Sequence, residues 1–227
     1  MVQDKRVSTG VEDLDKVLGG GFRENSVILI SGNPGAGKTI LSTQFLVDGG
    51  SKDEKCVYVS FAEKEEDYYN NMASMGLDIR PLSDKGLFKF LEYPTLDPEG
   101  MRAASENITR QVLEFEPQRL VIDSISAFTQ TMGIAETRQF LHVLFGRIMK
   151  DMDITTILIG EIPIGQLGTG FGVEEFVADG VILLKYSRVG KVERREMDIV
   201  KMRGVELNRS HFEYTISDEL LDPEPCP

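Results

Sequence analysis

The sequence predicts a single α/β domain in which helices flank a mainly parallel, twisted sheet. Short, continuous apolar runs, typical of strands buried on both faces, alternate with segments whose apolar residues recur at helical spacing. From Gly180 onward the strand-like runs follow one another closely, which predicts antiparallel strands at the C-terminal end. We expect one domain over residues 1–220 and a short, frayed, Pro-rich tail over residues 221–227.

The predicted strands are recognised by apolar, β-branched and aromatic residues. In chain order they cover residues 26–30, 56–61, 87–91, 120–123, 155–159, 181–186, 194–202 and 211–216. The run at 87–91 alternates less cleanly than the others and predicts an edge strand. The predicted helices cover residues 40–47, 65–75, 99–116 and 136–151. We expect Gly49 and Gly50 to stop the first helix, Gly76 the second and Pro117 the third.

Length, charge and cysteine usage narrow the class of protein. The chain has 227 residues, enough for one large domain, and no apolar run approaches the roughly 18–20 residues that span a bilayer. The first residues lack the apolar stretch of a secretory signal, and Cys56 and Cys226 form no zinc or redox motif. We therefore expect a cytoplasmic protein. The net charge of −12 argues against general binding of nucleic acid.

Residues 32–39, which read GNPGAGKT, match the phosphate-binding pattern G-x-x-x-x-G-K-[ST]. Glycines allow the backbone to approach an anion, successive N–H groups cradle phosphate oxygens, and the start of the following helix adds positive potential. Lys38 is expected to reach the β- and γ-phosphates of ATP, and the Thr39 hydroxyl to bind Mg²⁺. The predicted nucleotide contacts of this loop are Asn33, Pro34, Gly35, Ala36, Gly37, Lys38, Thr39 and Ile40.

Asp123 follows the apolar run at 120–122, and this arrangement predicts the second ligand of Mg²⁺. A carboxylate at the carboxyl end of a parallel strand faces the crevice where ligands bind in open sheets. The alternative is that Asp123 only caps the helix that follows. Ser124 and Ser126 are interpreted as strand-end and cap residues.

Glu63 follows the second predicted strand and is the best candidate for the base that activates water. We expect its strand to lie beside the phosphate-loop strand or one removed from it. The alternative is that Glu63 belongs to a solvated acidic start of the next helix, stabilised by the helix dipole. The sequence leaves the two interpretations open.

The chain resembles the KaiC-like ATPases, a branch of the RecA superfamily. The resemblance is carried by VSTGVEDLDKVLGGGF, SGNPGAGKTILSTQFL, RLVIDSISAF, GFGVEEFVADGVILL and RREMDIVKMRG, which together extend over almost all of the sequence. It implies a RecA-like P-loop NTPase fold and ATP or ADP bound at the subunit interfaces of a ring, usually a hexamer. A homo-oligomer is therefore expected.

The resemblance also implies further site residues. Lys201 and Arg203 in KMRG match the family's K-x-R-G, whose basic residues reach the nucleotide of the neighbouring subunit, and Met202 lies between them. A cation supplied in this way would stabilise charge that develops on the γ-phosphoryl group. Ser217 and Asp218 match a family position near the nucleotide's sugar or base. The alternative for the two basic residues is ordinary exposed strand charge.

The chain departs from the clock proteins of this family in ways that bear on activity. Ala62-Glu63 stands where the clock protein has two adjacent glutamates, and Val205 and Leu207 replace polar residues that contact the nucleotide. Because there is one such domain, the clock protein's autophosphorylation does not carry over. The main prediction is a slow, magnesium-dependent ATPase. A nucleotide-gated switch with negligible hydrolysis, and a DNA-acting ATPase with the loop at 165–170 lining a pore, are the alternatives.

Overall fold

The computed structural model describes residues 5–94, 97–143, 152–162, 178–189, 192–207, 211–217 and 220–225. Eleven strands form within these ranges. They are β1 (Arg6–Val7), β2 (Phe22–Arg23), β3 (Val27–Gly32), β4 (Cys56–Ser60), β5 (Phe88–Glu92), β6 (Arg119–Asp123), β7 (Thr155–Glu161), β8 (Gly180–Val189), β9 (Val192–Met202), β10 (His211–Ser217) and β11 (Leu220–Pro225).

Helices connect most of the parallel strands. They are α1 (Glu12–Val17), α2 (Lys38–Ser51), α3 (Glu65–Ser74), α4 (Arg80–Asp84), α5 (Pro98–Phe115) and α6 (Ser126–Val143). Gly133 has φ 79° and ψ 169° and breaks the helical conformation inside α6. In the part of the chain that the structure describes, no helix is both long enough and apolar enough to cross a membrane.

Nine of the described strands form one sheet in the order β11-β10-β9-β8-β3-β7-β6-β4-β5. The strands from β8 to β5 in this order run parallel, whereas β9, β10 and β11 extend the sheet in antiparallel fashion. The predicted class, a mainly parallel sheet flanked by helices with antiparallel strands at the C-terminal end, is confirmed. The order also places β7 between β3 and β6. The strand before the phosphate loop, β3, and the strand that ends in Asp123, β6, are therefore separated by one strand.

Apolar residues on alternate positions of β3 divide the core into two layers. Ile28 and Ile30 face the layer that contains α2 and α3, and Val27 and Leu29 face the layer that contains α5 and α6. Because both faces of the central strands are covered, their side chains are buried without interruption, as the continuous apolar runs predict.

The structure corrects several predicted boundaries. Helix α2 does not stop at Gly49 and Gly50 but continues to Ser51. A Cβ on Gly49 would lie 2.4 Å from Nε of Arg119, and one on Gly50 would lie 2.2 Å from a methyl of Leu82. These glycines therefore allow close packing on the helix face and do not end the helix.

Two further boundaries differ from the prediction. Helix α6 begins at Ser126, ten residues before the predicted start at 136, and the rest of that predicted helix, 144–151, lies outside the described residues. The predicted tail begins at residue 221, but Leu220–Pro225 pairs with β10 as the edge strand β11. The backbone is thus part of the sheet up to Pro225, and a single domain over residues 1–220 stays a prediction.

Candidate nucleotide-binding site

The loop between β3 and α2 turns through two glycines with left-handed backbone conformations. Gly35 has φ 78° and Gly37, the residue before α2, has φ 88°. The Ala36 N–H donates to the Asn33 carbonyl at 3.2 Å and closes the turn. The first N–H groups of a helix lack intrahelical acceptors, so α2 begins with donors directed towards the loop. This geometry suits an anion.

Gly32 has a role that differs from the predicted one. It is the last residue of β3, opposite Leu184 of β8. A Cβ on Gly32 would lie 2.2 Å from the Leu184 carbonyl oxygen. The need for glycine here comes from the neighbouring strand, whereas Gly35 and Gly37 shape the loop itself.

Lys38 lies across the loop. Its ammonium group donates to the carbonyl of Gly32 at 2.9 Å and to that of Asn33 at 3.0 Å. Burial lowers the pKa of Lys38, and the carboxylates of Asp123 and Glu161 oppose that shift. The ammonium group is thereby held at the loop by acceptors that it can exchange for phosphate oxygens.

Thr39 and Asp123, the two predicted magnesium ligands, are brought together. The Thr39 hydroxyl donates to Oδ2 of Asp123 at 3.4 Å. Burial raises the pKa of Asp123, and the negative charges of Glu161 and Glu63 raise it further. The hydrogen bond from the Tyr58 hydroxyl and the charge of Lys38 lower the pKa, but the overall shift is upward. Such a carboxylate beside a hydroxyl fits a hard divalent cation. The described residues contain no group of three or more His, Cys, Asp or Glu side chains that could hold a metal ion.

Glu161 is a residue of this site that the sequence interpretation missed. It ends β7 and pairs in register with Gly32, and its N–H donates to the Ser126 hydroxyl at 2.9 Å. Its charge acts on both Lys38 and Asp123. The signal that could have found it is the one used for Asp123, a carboxylate at the carboxyl end of a buried strand.

Glu63 lies on the same edge of the sheet but further from the loop than predicted. Two strands, β7 and β6, separate β4 from β3, so the expectation of a position beside the loop strand or one removed is wrong. The Ser60 hydroxyl accepts from the Glu63 N–H at 2.9 Å and fixes the turn. Asn71 donates to the Glu63 carboxylate. Glu63 nevertheless raises the pKa of Asp123, so its charge reaches the site.

Lys201 and Arg203 are not brought to the loop of their own chain. Strand β9 pairs Met202 with Gly180, and Gly180 pairs with Ile28 at the start of β3. The loop begins at Gly32, opposite Leu184, which is about 13 Å further along the strands. The basic pair therefore lies at the opposite edge of the sheet.

Both basic side chains contact the segment before β8. Lys201 donates to the Ala178 carbonyl at 2.7 Å, and the Arg203 guanidinium pairs with Asp179 at 2.8 Å. Arg203 is exposed, whereas Met202 is buried against Gly180. The side chain of Met202 is thus part of the core, which argues against its predicted nucleotide contact.

The remaining predicted residues divide into core and edge positions. The side chain of Ile40 is buried in the core, and Val205 and Leu207 pack against the same core layer. Ser217 ends β10, and Asp218 and the loop at 165–170 lie outside the described residues. The predicted contact of Ser217 and Asp218 with a sugar or base stays a prediction.

A glycine-rich loop between β3 and α2, with Asp123 one strand removed at the same edge, is the arrangement typical of proteins that bind the phosphates of a nucleotide. The family described as "ATPase: KaiC" matches residues 7–222. The chain belongs to this KaiC family of ATPases, and the predicted resemblance is confirmed. It is accordingly a nucleotide-binding ATPase of the RecA and KaiC type.

Relatives of two lengths match the chain. The circadian clock oscillator protein KaiC of Picosynechococcus sp. is 32% identical over 218 residues, which are 94% of this chain and 41% of that protein. A UPF0273 protein of Thermotoga maritima is 29% identical over 231 residues, 95% of this chain and 94% of that protein. The crystal structure of a KaiC-like protein of Pyrococcus horikoshii has a TM-score of 0.82 and 30% identity, and the match covers 97% of this chain and 99% of that one.

Proposed function

We propose that this protein binds Mg·ATP at the subunit interfaces of a ring, usually hexameric in its family, and hydrolyses it slowly as a regulatory or signalling ATPase. The observation that carries the proposal is the convergence of Lys38, Thr39 and Asp123 at one edge of the sheet, beside a glycine-rich loop that leads into the start of α2. A cytoplasmic location belongs to the same proposal, and Cys56 is a free, buried thiol.

Each residue has a chemical role in this proposal. Lys38 stabilises the β- and γ-phosphates, and Thr39 and Asp123 hold Mg²⁺ directly or through water. A bound magnesium ion would neutralise phosphate charge. Glu63 orients or deprotonates the attacking water, and Glu161, whose charge also acts on Asp123, is the competing candidate. Glu63→Gln and Glu161→Gln distinguish the two candidate bases. Only substitution of the residue that acts as the base should reduce turnover without reducing the affinity for ATP.

The first experiment tests the nucleotide site. Lys38→Ala removes a charged donor to phosphate, so the affinity for a fluorescent ATP analogue in Mg²⁺ should fall by at least about tenfold. Lys52→Ala, the same substitution at the other end of α2, is the matched control and should leave affinity unchanged. Unchanged affinity in Lys38→Ala would contradict the site assignment.

The second experiment tests assembly. Because Lys201 and Arg203 lie at the sheet edge opposite their own loop, they could complete only another subunit's site. Arg203→Ala should lower turnover more than nucleotide affinity, and mixing it with Glu63→Gln should restore some activity. Solution mass measured with and without Mg·ATP gives the size of the assembly. No restoration in mixed assemblies would count against a shared site.

A nucleotide-gated switch with negligible hydrolysis is the second candidate. It is favoured by Ala62, which stands where the clock protein has the first of two adjacent glutamates. It is also favoured by the hydrogen bond that Asn71 donates to the Glu63 carboxylate, because this bond occupies the candidate base. A sensitive phosphate-release assay on assembled protein separates the candidates, because a switch would show no turnover. A DNA-acting role is disfavoured by the net charge of −12, and salt-dependent binding of single strands would revive it.

A further inference from the structure

Two buried tyrosines lie behind the magnesium residues. Tyr58 is on β4 and Tyr68 is on α3, and both side chains are fully buried. Their ring centroids are 4.5 Å apart, and they lie 5.5 and 5.1 Å from the ring of Phe90 on the edge strand β5. The rings form one aromatic cluster beneath the carboxyl edge of the sheet.

The Tyr58 hydroxyl acts directly on Asp123. It donates to Oδ2 at 2.5 Å, and Oδ2 is also the oxygen that accepts from the Thr39 hydroxyl. Both donors thus converge on one carboxylate oxygen, which fixes the rotation of the carboxyl group. Oδ1, which receives no hydrogen bond from the residues that the structure describes, is left to face a cation or its water.

The Tyr68 hydroxyl acts on Thr39 through Thr43. The Thr43 hydroxyl donates its single hydrogen to the Thr39 carbonyl at 2.8 Å. Thr43 and Tyr68 are also bonded, with their oxygens 2.9 Å apart, so Tyr68 must be the donor in that pair. The backbone of Thr39 is thereby held from below by a relay that begins at Tyr68.

Packing alone does not require these hydroxyl groups. Phe88 and Phe90 belong to the same cluster and pack without them. A buried tyrosine hydroxyl costs free energy unless it is hydrogen-bonded. Phenylalanine would fill either position without that cost. Tyr69 is also in the cluster, but its hydroxyl donates to the Glu65 carboxylate at 2.8 Å and contacts the Ser83 hydroxyl oxygen at 3.4 Å, away from the site. The cluster therefore contains its own control.

We propose that Tyr58 and Tyr68 are positioning residues that hold the Asp123 carboxylate and the Thr39 hydroxyl in register for a divalent cation. The inference rests on the proposed Mg·ATP function. Tyr58 acts on the carboxylate, and Tyr68 acts on the backbone that carries the hydroxyl. Partners of this kind, one shell behind the ligands, tune metal affinity in many sites.

The test measures metal binding apart from nucleotide binding. Mn²⁺ bound in the presence of ATP is followed by electron paramagnetic resonance, and the affinity for a fluorescent ATP analogue is measured in EDTA. Tyr58→Phe should weaken Mn²⁺ binding by about tenfold and leave the affinity in EDTA unchanged. Tyr68→Phe should show a smaller loss in the same direction. Tyr69→Phe, the matched control, should bind Mn²⁺ as the wild type does.

Thr43→Val provides a second route that leaves Tyr58 in place. It should weaken Mn²⁺ binding as Tyr68→Phe does, and the double variant should be no worse than Thr43→Val, because both break one relay. Wild-type Mn²⁺ affinity in Tyr58→Phe, or in Thr43→Val if Tyr58→Phe does not fold, would overturn the inference. A wild type whose nucleotide binding is indifferent to Mg²⁺ would instead contradict the proposed function.

Discussion

The two ends of β6 carry groups of opposite charge, a buried arginine and a partly buried aspartate, and their partners within the fold differ. At the start of the strand Arg119 is 1% exposed, yet its guanidinium pairs with Glu54 at 2.5 Å and Asp48 at 2.9 Å. It also donates to the Phe45 carbonyl and stacks over the Phe45 ring at 4.6 Å. The positive charge is balanced within the fold.

At the other end of the strand Asp123 accepts only from hydroxyl groups, those of Tyr58 and Thr39, among the described residues. Burial raises its pKa, and Glu161 and Glu63 raise it further. One end of β6 therefore contributes to stability, whereas the other retains negative charge that a bound cation would balance. Folds commonly give up some stability at the sites that perform function.

The largest expected effect comes from removing the balanced charge. Arg119→Met leaves the carboxylates of Glu54 and Asp48 without their buried cation and breaks the bonds to backbone carbonyls. We expect a loss of about 3 kcal/mol in the free energy of unfolding, measured by urea denaturation. Nucleotide affinity per folded molecule should not change.

Lys52→Met is the matched control, because Lys52 pairs with the same Asp48 at 2.7 Å but at the surface. Its effect should stay below about 1 kcal/mol. Equal losses in the two variants would remove the distinction between the buried and the exposed cation.

A second variant crowds Arg119 and keeps its charge. In Gly49→Ala the new methyl group would meet Nε of Arg119 at 2.4 Å, and the guanidinium is held in place by its partners. We expect a loss of about 2 kcal/mol by urea denaturation. Ser51→Ala, in the last turn of the same helix, should be close to neutral, and a neutral Gly49→Ala would show that Arg119 can shift.

At the Asp123 end of β6, removal of the charge should stabilise the fold and not destabilise it. Asp123→Asn keeps the shape of the side chain and removes a charge that the metal-free fold disfavours. Urea denaturation in EDTA should show a gain of about 1 kcal/mol. The stabilisation that Mg·ATP gives to the wild type should be lost in the same variant. A loss of stability in EDTA would mean that Asp123 is already balanced.

The stability of the protein should also depend on pH through Asp123. The pKa of Asp123 is raised in the folded protein above the unfolded value of about 3.9. The folded state therefore holds the proton more tightly, and this stability is lost as the pH rises from about 4 through the folded pKa. In EDTA the advantage of Asp123→Asn over the wild type should be absent below about pH 4 and grow above it.

Asp198 provides the opposite case. Burial raises its pKa, but hydrogen bonds from Lys185 and His211 outweigh burial, and the pKa is lowered overall. Stability from Asp198 is therefore present above the unfolded pKa and lost as the pH falls through the folded one. Asp198→Asn should lose stability relative to the wild type as the pH rises towards about 4, which is opposite to the change expected for Asp123→Asn. A gain of stability over that range would contradict the assignment for Asp198.

The parts of the site that are local in sequence could be predicted. The loop at 32–39 and the strand that ends in Asp123 are each encoded by a few consecutive residues, so spacing and apolar runs suffice. Their meeting at one edge follows from the rule that parallel strands share a carboxyl edge. The contact between Thr39 and Asp123 agrees with that rule.

The parts that depend on strand order could not be predicted. The sequence does not show that β7 and β6 separate β4 from β3, so the expected position of Glu63 is too close to the loop. Gly49 resembles a helix stop because its packing partner, Arg119, is distant in sequence. The bond from Tyr58 to Asp123 likewise joins neighbouring strands whose pairing no local pattern reveals.

The placement of Lys201 and Arg203 at the edge opposite the loop has a numerical consequence. If each chain completes the site of the next, complete sites are counted by contacts and not by chains. A closed ring would then have as many working sites as subunits, and an open row would always have one fewer. When an open row closes into a ring, one more site becomes complete and the turnover per chain would rise. A measurement of turnover per chain would therefore detect ring closure.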